Sequence, residues 1–268
     1  MENGTLMPYT KELIEQLADE VINWTRDFVN KISPTMKVVI GISGGKDSSV
    51  VAAILKEAIG IDRIIAVQMP CGKQIDIADS NKVIKELGLV NHYCINIGSS
   101  YYELCSEFRS QAKKELPDTF TTNTPARLRM TTLYGFAAIF GGLVVNTCNR
   151  SEDVVGYSTK FGDHAGDFAP INHLTTEEVI AIGDYLGLSY ELTHKVPADG
   201  MSLNDDGSLK GDEIKLGFTY HEVNEIIRNN IHSEHYDKIV DMWKKNYHKF
   251  NLNLPCYIPQ NLNDYFDK

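Results

Sequence analysis

The run Val38-Val39-Ile40 stops at Gly41 and opens into Ile42-Ser43-Gly44-Gly45-Lys46-Asp47-Ser48, after which Val50, Val51, Ile54 and Leu55 recur at helical spacing. Three consecutive β-branched residues suit a strand buried on both faces, where alternation with polar positions is not required. A strand that passes within a few residues into a helix cannot fold back as a hairpin. It must cross over and return parallel. The unit recurs along the chain: a strand over 64–69 stopped by Pro70 and Gly72, a helix over 79–87, a strand over 92–97, a helix over 125–139 and a strand over 142–146. A helix over 9–32, with Leu13, Leu17, Val21, Ile22 and Phe28 on one face, precedes them. The pattern predicts an α/β fold with a doubly wound parallel sheet. Such sheets place ligands at the carboxyl ends of their strands, where the segments after Ile40 and Val145 lie.

The first of those segments has the chemistry of an anion cradle. Glycines let backbone amides approach an anion with no Cβ in the way, and the helix that follows aims its unsatisfied N–H groups at the same place. Ser43 and Ser48 add hydroxyls, and Asp47 is a hard oxygen ligand of the kind magnesium prefers when it bridges phosphates. The spacing excludes two familiar loops. A Walker A loop needs glycine six positions before its lysine, where Ile40 stands, and its lysine is followed by Ser or Thr rather than Asp47. The GxGxxG spacing is also absent, because the glycine after Gly41 lies too far along. What remains is Ser-Gly-Gly-Lys-Asp-Ser.

This loop resembles that of the ATP-pyrophosphatase superfamily, whose members cleave ATP between the α and β phosphates to adenylate a substrate; the implied fold is that of the adenine nucleotide alpha-hydrolases. Two further stretches, Asn149-Arg150-Ser151-Glu152 and Gly156-Tyr157-Ser158-Thr159-Lys160-Phe161-Gly162-Asp163, are more specific. With them the sequence resembles the NAD synthetase family over about 38–249. The resemblance implies an ammonia-dependent ligase that adenylates deamido-NAD and lets ammonia displace AMP, giving NAD and pyrophosphate. Carried over residue by residue, it implies that Gly41, Ile42, Ser43, Gly44, Gly45, Lys46, Asp47 and Ser48 hold ATP together with Thr147, Thr176 and Ala198. Asp47 and Glu152 would bind Mg2+, Arg127, Lys160, Asp167, His248 and Lys249 would bind deamido-NAD, and Asp163 would serve the ammonia step as the catalytic carboxylate. The family commonly has Lys at 176, Ser or Thr at 198 and Arg at 250, where this chain has Thr176, Ala198 and Phe250. A homodimer is also implied, and the helix over 125–139 suits either an interface or core packing.

Each residue also has a structural reading. Glu152 can cap a helix, Arg127 and Lys160 can be surface cations, Asp167 can turn with Gly166, and His248 can be a packed imidazole. Another ATP-pyrophosphatase-type adenylating enzyme, such as a tRNA-modifying enzyme, is the alternative activity, and a non-catalytic nucleotide sensor is a third. The formal net charge of −10 opposes a nucleic-acid partner, because phosphate backbones are met by basic surface. The longest apolar run, 135–145, is short of the roughly 20 residues of a membrane span, and the first residues have no apolar signal core. Cys71, Cys94, Cys105, Cys148 and Cys256 are scattered, odd in number and without CxxC, which predicts neither disulfides nor a zinc site and suits a reducing cytoplasm. We therefore expect one domain over 1–268, with a nucleotide-binding core over 33–175 and a helical part over 176–268 that carries a mobile loop at 197–211. No length is left for a glutaminase domain, so free ammonia is the expected nitrogen donor.

Overall fold

A computed structural model describes residues 9–73, 77–195, 198–203 and 209–250, the segments 198–203 and 209–210 by their backbone alone. Helix α1 (Lys11–Ile32) opens it, capped by the Thr10 hydroxyl, which accepts from the Leu13 N–H. There follow β1 (Lys37–Gly41), α2 (Lys46–Ile59), β2 (Ile64–Gln68), α3 (Ile77–Leu87), β3 (His92–Cys94), α4 (Gly98–Ala112), α5 (Asp118–Phe140), β4 (Gly142–Val144) and α6 (Arg150–Val155). The remaining elements are α7 (Thr176–Tyr185), α8 (Tyr190–Thr193), β5 (Ala198–Leu203), β6 (Leu209–Gly211), α9 (Asp212–Leu216), α10 (Tyr220–Asn229) and α11 (Tyr236–Asn246).

Strands β1 to β4 form one parallel sheet in the order β3-β2-β1-β4. Alternate side chains of its strands feed two cores. Val38, Ile40, Ile64 and Ala66 face α1, α2, α3 and α7. Val39, Ile65, Val67 and Val144 face α5 through Phe136 and Ala137. Helices on both faces make the strand interiors continuously apolar, as the sequence pattern required. Each of Val38, Val39 and Ile40 is fully buried, which stabilises the fold by ~1.5–3 kcal/mol per side chain. The chain leaves β1 toward β2 on one side and returns as β4 on the other. This reversal opens a crevice at the carboxyl ends of β1 and β4.

The smaller C-terminal cluster packs Val154 and Val155 of α6 against Leu216, Phe218, Tyr220, Val223 and Ile239. Three boundaries differ from the sequence expectation. Helix α5 begins at Asp118 and carries Pro125 in its interior. Proline removes one backbone donor, and the Thr121 and Thr122 hydroxyls give the turn before it bonds of its own by donating to the Asp118 carbonyl. The span 98–112, which has no strong apolar periodicity, is helix α4. Within the expected mobile loop 197–211, β5 and β6 pair antiparallel; 197 and 204–208 lie outside the described residues.

Glu178 ties three elements together. Arg228 donates to its two oxygens through Nε and Nη2, at 2.6 Å each, and the Thr175 N–H and the Tyr9 hydroxyl add bonds at 2.8 and 3.2 Å. Burial alone would raise the Glu178 pKa, but Arg228 and the Thr175 amide outweigh it and hold it below the usual value. A depressed folded-state pKa contributes stability above the unfolded value, and that contribution is lost as pH falls through the folded one. Glu178→Gln should therefore cost ~1–3 kcal/mol in denaturant unfolding at neutral pH. The difference from the parent chain should shrink below about pH 4.

Candidate active site at the β1 and β4 crevice

The loop leaving β1 keeps only backbone and small polar groups toward the crevice. Ile42 is buried in the core, and its N–H donates to the Val67 carbonyl at 2.9 Å. Gly44 has φ +81°, and a Cβ there would lie 2.6 Å from the Ser80 nitrogen, so only glycine fits between the loop and α3. The Ser43 and Ser48 hydroxyls lie 3.0 Å apart, and Ser43 also accepts from the Gly45 N–H. Gly45 is the N-cap of α2 and supplies no side-chain cap, so the first-turn amides stay available to an anion.

Lys46 lies inside this corner, with 3% of its side chain exposed. Its ammonium is 2.7 Å from Asp47 Oδ2 and 3.5 Å from Glu152 Oε1. Glu152 comes from α6, on the other side of the crevice. Asn149 closes the ring: its Nδ2 donates to Asp47 Oδ1 at 2.8 Å, and its Oδ1 accepts from the Glu152 N–H at 3.0 Å. Glu152 Oε2 returns a contact to the Asn149 N–H at 3.4 Å, completing a capping box. Glu152 thus caps its helix, as one sequence reading expected, while its other oxygen faces the ammonium that Asp47 also holds.

Burial works against the Lys46 charge, but Asp47 and Glu152 outweigh it and raise the Lys46 pKa. Burial and then the repulsion of Asp47 push Glu152 up to about 8, with Lys46 opposing. Apart from the Lys46 ammonium, the corner presents the carboxyl oxygens of Asp47 and Glu152. That oxygen-only donor set fits a hard divalent cation such as magnesium. Tyr220 also faces the corner. Its hydroxyl is buried without a hydrogen-bond partner, and burial followed by the nearby Glu152, Asp212 and Asp47 raises its pKa.

A second group gathers around the turn after α6. Asp163 Oδ1 accepts from the Thr159 N–H at 2.9 Å. Asp163 is exposed to solvent, while desolvation of its carboxyl raises its pKa above the usual range and the Thr159 amide opposes that rise. Lys249 donates to the Gly156 carbonyl at 2.7 Å. Burial lowers the Lys249 pKa, and Asp163 pulls it up. Lys160 reaches the His248 carbonyl at 3.0 Å, and Arg127 Nε contacts the Lys160 carbonyl at 3.4 Å. Arg127, Lys160, Asp163, His248 and Lys249 thus form one neighbourhood.

Asp167 is held by other partners: its carboxylate accepts from the Val144 N–H at 2.7 Å and from the Tyr134 hydroxyl at 3.3 Å. Burial and Asp167 push Tyr134 up to about 12. Thr147 is half-buried beside Asn146 and Cys148. Thr176 is buried, with its N–H on Ser151 Oγ and its hydroxyl 3.4 Å from Asn149 Oδ1, one residue removed from Asp47. Ala198 opens β5. Sequence reasoning missed Asn149, Asp212 and Tyr220. Only Asn149 carried a local signal, as the first residue of an Asn-x-x-Glu cap.

A profile of the family described as NAD synthase matches residues 17–253. The NH(3)-dependent NAD(+) synthetase of Carboxydothermus hydrogenoformans is 32% identical over 237 residues, covering 88% of this chain and 94% of that protein. Among solved structures, the NMN synthetase of Francisella tularensis superposes with a TM-score of 0.81 at 27% identity, over 91% of this chain and 99% of that one. The NH3-dependent NAD synthetase of Campylobacter jejuni, in complex with the nitrate ion, gives 0.70 at 25% identity, over 92% and 99%.

The charge ring makes a testable demand on Lys46. Lys46→Met leaves Asp47 and Glu152 without their shared cation and should cost ~3–5 kcal/mol in denaturant unfolding at pH 9. Glu152 titrates above its unfolded value, so its contribution is present at low pH and lost as pH rises through about 8. The deficit of the variant should therefore be smaller at pH 6, where Glu152 holds a proton.

Proposed function

The chain belongs to the NAD synthase family, and we propose that it amidates deamido-NAD with ammonia at the expense of ATP in the crevice between β1 and α6. The observation that carries this reading is the convergence of Asp47 and Glu152, from the first turns of two separate helices, on the buried Lys46 ammonium beside an uncapped glycine loop.

ATP phosphates rest on the amides of the Gly41-to-Ser48 loop and the first turn of α2, with Thr147 and the buried Thr176 behind them. Mg2+, held by Asp47 and Glu152, would supply charge neutralisation at the phosphate oxygens. The nicotinate carboxylate attacks the α-phosphorus and pyrophosphate leaves, giving an acyl adenylate. Preorganised N–H donors stabilise the charge that builds on the phosphate oxygens without reorganising at the moment of reaction. Arg127, Lys160, His248 and Lys249 hold the deamido-NAD anion, and Asp167 steadies the end of β4 beneath it. Ammonium prevails at neutral pH and is not nucleophilic. Asp163 attracts it and takes its proton, so that ammonia can attack the acyl carbon and expel AMP.

The same reading includes a homodimer and a cytoplasmic location. The dimer is supported by Tyr102, Phe108 and Ile139, exposed by 58%, 49% and 73% on α4 and α5. Sedimentation at equilibrium should give twice the chain mass, and Phe108→Glu should shift it toward the monomer. Cys71, Cys94, Cys105 and Cys148 are free thiols, which suits a reducing compartment. Among the described residues no helix is long and apolar enough to cross a membrane.

A second reading is favoured by one observation, the 0.81 superposition on an NMN synthetase: the acid would then be nicotinate mononucleotide. Both acids, offered separately with ATP, Mg2+ and ammonium, decide between them through amide product and pyrophosphate. We expect the larger kcat/KM with deamido-NAD, and a larger value with the mononucleotide would transfer the assignment. Asp163→Asn should lower amide formation by ~10²–10⁴-fold while pyrophosphate exchange, which reports adenylation, persists. Equal loss of both steps would remove Asp163 from the ammonia step.

A further inference from the structure

Cys148, Asp153 and His164 come from three places: the segment after β4, the middle of α6, and the turn beyond Asp163. Their ligand atoms nevertheless all lie within 4.8 Å of one another. Cys148 and Asp153 are buried, at 6% and 2% exposure, and the His164 side chain is 11% exposed. The Asn172 amide donates to Asp153 Oδ2 at 2.6 Å and so fixes which carboxylate oxygen faces the cluster. That inward oxygen, Oδ1, has no hydrogen-bond partner, and neither has His164 Nδ1, 3.5 Å away. The two atoms are within ion-pair distance of each other but share no hydrogen bond, and the Cys148 thiol donates only a long contact, 3.4 Å, to the Asp163 carbonyl, so the cluster's buried polar atoms are poorly satisfied by the protein alone. The edge of His164 is covered by Phe250, with ring centroids 4.8 Å apart.

We propose that Cys148, Asp153 and His164 form a binding site for a zinc-type divalent cation, separate from the Asp47–Glu152 corner. A thiol, an imidazole and a carboxylate make a borderline-soft donor set that suits Zn2+ or Co2+, whereas magnesium takes oxygen ligands and rejects thiolate. Zinc bonds of about 2.0–2.3 Å place tetrahedral ligand atoms about 3.3–3.7 Å apart. The Asp153–His164 pair already has that spacing, and Cys148 Sγ lies within 4.8 Å of both. Burial, followed by Asp163, Glu152 and Asp153, holds the thiol protonated in the metal-free chain. Coordination reverses that preference and releases the thiol proton to solvent. The fourth position is left to water. A cation here would staple α6, which carries Glu152, to the turn that carries Asp163. The spacing Cys-x4-Asp-x10-His matches no familiar zinc signature, which is why the sequence predicted no such site.

The full chain, stripped with a chelator, should bind one equivalent of Co2+ with a thiolate-to-cobalt charge-transfer band and the visible intensity of a tetrahedral centre. Stoichiometric Zn2+ should erase the band and raise Tm. Cys148→Ser should abolish the band, His164→Gln and Asp153→Asn should weaken affinity by ten-fold or more, and Asp47→Asn should retain it. A parent chain that gives no stoichiometric band overturns the site without recourse to any variant. So does a band that survives Cys148→Ser, which would belong to another thiol such as Cys71.

Discussion

The ammonium of Lys46 sits between two carboxylates that the chain order separates by more than a hundred residues, and the geometry of the crevice follows from that placement. Asp47 lies in the first turn of α2, where the helix dipole favours a negative charge. Glu152 belongs to a helix of six residues, too short to stand without tertiary support. A cation shared by the two fixes the distance between the glycine loop and everything that follows β4. An apolar replacement of the ring would pack as well or better. A charged ring therefore adds little to stability that packing could not supply.

The sheet makes the ring geometrically feasible. β1 lies between β2 and β4, in parallel register with both, so the loops that leave β1 and β4 emerge at the same edge with no element between them. The isolated bridge between Val145 and Phe168 extends that edge and brings the segment after Asp163 back onto it. Gly156, with φ +72°, lets Asn246 of α11 approach where any side chain would collide. The C-terminal helices thereby pack closely on α6. Lys249 reaches the Gly156 carbonyl from the turn beyond α11, placing a cation from the far end of the fold beside Asp163.

Legibility in the sequence followed the range of the forces involved. β1, its glycine loop and α2 could be read because buried strands, positive-φ glycines and uncapped helix starts are local properties. Helix α4 could not, since only Gly98 and Cys105 are buried along its fifteen residues and the apolar period is lost. Pro125 marked a helix start by its usual preference, yet α5 begins earlier because threonine hydroxyls tie its first turn. β5 and β6 lie around a glycine- and aspartate-rich stretch whose composition suits a loop and a hairpin turn equally. In the site, Arg127, Lys160, Asp163, His248 and Lys249 could be placed together by resemblance. Tyr220 and Asp212 could not, because their nearness to Glu152 arises only when the C-terminal cluster closes on α6.

Glu152 shows why a structural reading and a chemical reading of one residue need not compete. Its Oε2 meets the Asn149 N–H and completes the helix cap, while its Oε1 faces Lys46. Asn149 divides its amide in the same way, with the oxygen on the Glu152 N–H and the nitrogen on Asp47. Each side chain spends one polar atom on holding α6 together and the other on the crevice. A carboxylate kept in place by its own helix start loses little rotamer freedom when a ligand arrives, which is the physical content of preorganisation. The cap is thus what holds the second Glu152 oxygen facing Lys46.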